Sequence, residues 1–143
     1  MRSLVLSLIL AGAGLAAQAE DVTTYPFDGD FGDATFGLEN AIVGRGLVVD
    51  HISHVGEMLN RTGADLGAAT QIYDNADVYQ FCSAVVSRKM MEADPLNIAW
   101  CPYGIFVTDR GGEVLIGYRN MPDGVMQEVQ TLLDEIVREA VGL

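Results

Sequence analysis

Residues 81–122 read FCSAVVSRKMMEADPLNIAWCPYGIFVTDRGGEVLIGYRNMP, a stretch holding both cysteines, the sole tryptophan and three of the four prolines. Two apolar runs within it, Gly104–Thr108 and Glu113–Tyr118, flank Asp109-Arg110-Gly111-Gly112. That pattern predicts an antiparallel hairpin, because glycine reaches the positive φ a tight turn needs. Before the hairpin, Ser83 is placed to cap a helix over Ser83–Ala93 that turns Val86, Met90 and Ala93 to one face. Asp94-Pro95 ends it, since a residue before proline resists helical angles. Ala76–Phe81 alternates as a strand does.

Outward from this centre, Met121-Pro122-Asp123 opens a last helix. Its broad apolar face holds Val125, Val129, Leu132, Leu133, Ile136, Val137 and Ala140. Toward the N-terminus, Asp21–Phe27 reads as a first strand, with Pro26 suiting an edge or an end. Asp28–Asp33 is a solvated turn, because its acidic residues lack the order and closing glutamate of a calcium loop. Asp33 is placed to cap a helix to about Gly44 that buries Phe36, Leu38, Ile42 and Val43; Gly46 stops it. Residues 46–52 form a strand, and Ser53 caps a short helix through Val55, Met58 and Leu59 to Arg61. Thr62–Asn75 takes no single state. The order β-α-β-α-β-α-β-β-α predicts an α+β fold: two layers, with a mostly antiparallel sheet of about five strands packed by about four helices.

Residues 1–19, MRSLVLSLILAGAGLAAQA, carry a basic start, a short apolar run and Ala17-Gln18-Ala19 before Glu20. These are the marks of a cleaved secretory signal. The expected mature chain, residues 20–143, is one domain located in the periplasm or secreted, with no membrane span after cleavage. The full chain carries a net charge of −12. Losing Arg2 leaves seven basic residues against twenty acidic ones, about −13. An acidic surface excludes nucleic acid as a partner, since that needs a basic face.

Eighteen residues separate Cys82 from Cys101, enough for a helix to leave the sheet and the chain to return. In an oxidising compartment the pair is expected to join as a disulfide, contributing about 3 kcal/mol by loop closure. A redox-active pair is the alternative: Cys82 lies where a strand hands over to a helix, and a helix N-terminus stabilises a thiolate. No C-x-x-C motif supports it. His51, His54 and Met58 form H-x-x-H-x-x-x-M, whose donors suit copper or haem iron. No third histidine or carboxylate completes that site, and no cofactor is assigned. Trp100, Tyr103, Met90 and Phe106 surround the cysteine loop and are candidates for lining a ligand pocket. No serine has a matched base and acid, and no reaction is assigned.

The ordered set Phe81-Cys82-Ser83, Asp94-Pro95, Pro102 before Gly104-Ile105-Phe106-Val107, the Gly111-Gly112 turn and Gly46-Leu47-Val48-Val49 resembles the domain of unknown function 302 family, over about residues 34–122. The resemblance implies a small α+β domain, dimeric in some members, with no transferable activity. The family pattern has Cys-Asn-Pro where this chain has Cys82-Ser83-Ala84, and Leu-Pro-Cys where it has Cys101-Pro102-Tyr103. Cys82 falls on the family position; Cys101 lies two residues before the second. The functional expectation is an exported accessory domain of the bacterial envelope that binds a small ligand or an envelope protein.

Overall fold

The computed structural model describes residues 17–19, 21–68 and 70–143. The expected signal segment therefore lies outside the described residues, except for the backbone of β1 (Ala17–Ala19). The other strands are β2 (Val22–Phe27), β3 (Val48–Ser53), β4 (Asn75–Cys82), β5 (Tyr103–Arg110) and β6 (Glu113–Arg119). They form one open sheet in the order β1-β2-β6-β5-β4-β3, and every neighbouring pair is antiparallel. The helices are α1 (Phe31–Gly44), α2 (Val55–Asp65), α3 (Ala84–Ala93) and α4 (Gln127–Ala140), with a 3-10 helix at Pro95–Trp100. The α+β fold expected from the sequence is the fold observed.

Local chemistry explains most boundaries. Ser83 caps α3 by accepting the Val86 amide, and Asp94 caps the 3-10 helix by accepting the Leu96 amide. Gly111 and Gly112 turn the β5–β6 hairpin at φ 65° and 82°. Asp30, rather than Asp33, caps α1: its carboxylate accepts the Asp33 amide, so the helix begins three residues earlier than the sequence suggested. α2 runs on to Asp65, into the stretch that composition left unassigned. α4 begins only at Gln127, after a glycine turn at Gly124, so Val125 stays outside it and exposed.

The core lies between the sheet and the α1–α4 pair. Tyr103, Ile105 and Val107 of β5 alternate inward, as do Val114, Ile116 and Tyr118 of β6. Leu38 and Ile42 of α1 meet Val129, Leu133, Ile136 and Val137 of α4 in the same cluster. α1 buries Ala34, Leu38, Ala41 and Ile42; Phe36 and Val43, expected inside, are 70% and 54% exposed because they lie off that stripe. Arg45 pairs with Glu139, and its guanidinium donates to the Ala41 and Glu135 carbonyls, tying the end of α1 to α4. Tyr25 and Tyr118 both donate to Asp134 Oδ1, at 2.6 and 2.8 Å, pinning β2 and β6 to α4. Burial and that carboxylate push both phenols up.

Candidate functional site

The alternation that turns Ile105 and Ile116 toward the helices turns Gly104, Phe106, Gly117 and Arg119 to the opposite face. In β4 the same rule sends Tyr79 and Phe81 to the core and Val78 and Gln80 outward. On this second face lies a groove of about 660 Å³. Val78, Gly104 and Phe106 form its floor, Trp100 and Pro102 close one end, and Arg119 stands at the rim. Glycine shapes that floor. A Cβ at Gly117 would come within 2.6 Å of both Phe106 Cζ and the Thr23 carbonyl oxygen, so only glycine lets the Phe106 ring lie across β6. A Cβ at Gly104 would meet only Val78 Cγ1, at 3.5 Å, so the missing side chain leaves open space. The Arg119 guanidinium stacks on Trp100, its carbon 5.6 Å from the ring centroid.

Of the four pocket candidates, Trp100 and Phe106 line this groove. Tyr103 and Met90 do not: they are 1% and 0% exposed and belong to the helix-side core. Tyr103 falls one residue from Gly104 on an alternating strand, and Met90 lies on the buried side of α3. Gln80 and Arg119 line the groove and escaped sequence reasoning, because single polar residues in a strand carry no signal until the register is known.

The cysteines meet where β4 gives way to α3 and the 3-10 helix gives way to β5. Their sulfurs stand 3.7 Å apart and are free thiols, so the expected disulfide is not formed here. A bond needs a separation near 2.05 Å. Both thiols are half-buried. The Cys101 sulfur also lies 3.4 Å from Ser87 Oγ, which is 3.0 Å from the Tyr103 hydroxyl. Burial pushes the Cys82 thiol up to about 11, with the neighbouring Cys101 and the Asp50 carboxylate acting the same way. Cys82 ends a strand and Ser83 takes the cap, so a thiolate stabilised by the helix end is not what its surroundings favour. Burial raises the Tyr103 phenol to about 12. The Cys101-Pro102 peptide is cis.

His51 is exposed on β3, Met58 is 43% exposed on α2, and His54 Nδ1 lies 2.8 Å from Asp77 Oδ1. That carboxylate raises the His54 pKa. Among the described residues no group of three or more histidines, cysteines or carboxylates is placed to hold a metal ion. No helix among them is long and apolar enough to cross a membrane.

Fold and groove together define a class: an α+β protein whose antiparallel sheet is covered by α1 and α4 on one face and hollowed on the other. The pattern of the family described as "Domain of unknown function DUF302" matches residues 23–141, and the chain belongs to that family. A crystal structure of an uncharacterized conserved protein DUF302 from Bacillus stearothermophilus superimposes with a TM-score of 0.62 at 15% identity, covering 87% of this chain and 95% of that one. At that identity the likeness speaks for the fold. No curated protein matches.

Proposed function

We propose that this chain is an exported accessory domain of the bacterial envelope that holds a small ligand in the groove on the sheet face opposite α1 and α4. The carrying observation is the groove itself: its volume of about 660 Å³ lies within the range of small-molecule sites, roughly 300–1,000 Å³. Its lining pairs an apolar body with a few polar groups, the composition that orients a ligand while burying it. Trp100, Phe106, Val78 and Met121 supply much of the apolar part; Gln80, Asn120, Asp21 and Arg119 supply the polar part. A ligand with a ring or short apolar body and one polar or anionic end fits this lining. The export signal read from residues 1–19 supports the envelope as the compartment.

The test uses the chain's single tryptophan, which stands in the groove. Small aromatic carboxylates are titrated against Trp100 fluorescence in the wild type and in Gly104→Val. Valine suits a strand, and at this position its branches project into open space. The expected result is a saturable signal in the wild type that the valine abolishes. A signal unaffected by the valine, or no signal with any compound, would contradict the proposal.

A further inference from the structure

The two sulfurs are unlike in their surroundings. Cys101 Sγ is approached by two hydroxyl or thiol donors: the Cys82 S–H at 3.7 Å and the Ser87 hydroxyl at 3.4 Å. The Tyr103 hydroxyl, 3.0 Å from Ser87 Oγ, donates to that oxygen when Ser87 turns its own proton toward the sulfur. Negative charge on Cys101 is therefore received by a short relay of donors. Cys82 takes a hydrogen bond from the Tyr103 backbone but faces the Asp50 carboxylate, and it keeps its proton until well above neutral pH. Cys101 lies in the chain between Trp100 and Pro102, two residues that line the groove, and Cys82 ends β4. Attack by the sulfur with the donors, followed by closure with the sulfur 3.7 Å away, is the order such a pair favours.

The geometry points to an ordered thiol–disulfide exchange at this site, in which Cys101 attacks an incoming disulfide and Cys82 resolves it. In the first step the Cys101 thiolate attacks a disulfide R–S–S–R. A new S–S bond forms in the mixed disulfide Cys101–S–S–R, the S–S bond of the incoming disulfide breaks, and one RS⁻ leaves. In the second, Cys82 gives up its proton and attacks the Cys101 sulfur. The protein disulfide forms and the second RS⁻ departs. Each leaving thiolate takes up a proton, so the chain loses two electrons and two protons and the disulfide is reduced to two thiols. The activity does not depend on the groove being occupied.

The reduced chain is exposed to oxidised glutathione, and adducts are followed by mass spectrometry. The wild type is expected to lose both thiols together without a lasting adduct. Cys82→Ser should accumulate a glutathione adduct on Cys101, at least ten-fold faster than Cys101→Ser accumulates one on Cys82. Limited alkylation of the reduced wild type with iodoacetamide gives the same ordering in an unaltered fold, with Cys101 labelled first. Equal rates in the two variants, first labelling at Cys82, or a persistent adduct on the wild type would overturn the assignment.

Discussion

The two faces of one sheet are built from the same strands and behave as two different materials. On the helix side, Tyr103, Ile105 and Val107 are at most 1% exposed and interlock with α1 and α4. One residue away along the same strand, Gly104 and Phe106 line a groove. The difference follows from which face α1 and α4 cover, and a strand's two-residue period does the sorting. The covered face carries the stability, and the open face is free to carry a site.

The contrast is broken most severely from the core. Ile116→Ala removes a fully buried side chain and should cost about 3 kcal/mol. Val78→Ala, on the groove side, should cost under about 1 kcal/mol. Urea denaturation of the two variants measures both, and equal losses would mean that the faces are not distinct. The next largest effect is expected at Gly117. An alanine there collides with the Thr23 carbonyl oxygen, a backbone atom, and with the Phe106 ring, so Gly117→Ala should cost about 2 kcal/mol and move the groove floor. Gly104→Ala meets only an ordinary contact with Val78 and should change stability by no more than about 1 kcal/mol, favourably, since it restricts the unfolded chain. Thermal melts of the two variants sharpen the comparison within a single face.

The smallest effect lies at the sheet's β3 end, away from the groove. Asp77 raises the His54 pKa by hydrogen bonding and charge. A folded-state pKa above the unfolded one makes this pair's contribution complete below the unfolded value, about 6.5, and lost as pH rises through the folded value. His54 is exposed, so the effect on stability is slight and the titration itself is the readout. By proton NMR, His54 should titrate above the ordinary histidine range, and Asp77→Asn should bring it back toward that range.

How much of this was visible in the sequence differs between the faces. The hairpin at Gly111-Gly112, the stop at Asp94-Pro95 and the apolar stripe of α4 were legible, because each is written in neighbouring residues. Phe36 was misplaced because its size suggested burial, while the true stripe of α1 runs through small residues, Ala34 and Ala41, as well as Leu38 and Ile42. The groove was only half legible. Tyr103-Gly104-Ile105-Phe106-Val107 is apolar or small at every position, so no alternation marks its two sides. Only the placement of α1 and α4 separates Phe106 from Tyr103. Arg119 and Gln80 become neighbours of Trp100 through strand pairing across three chain segments, which no local pattern records.

The proposed ligand site is the groove on the face opposite α1 and α4, and no other surface hollow. Crystals soaked with a library of small aromatic acids test it most directly. Bound fragments are expected between Trp100, Gly104 and Phe106, with their acid groups toward Arg119. Fragments found only elsewhere, for instance in the smaller hollow between Leu59 and Ile72, would contradict it.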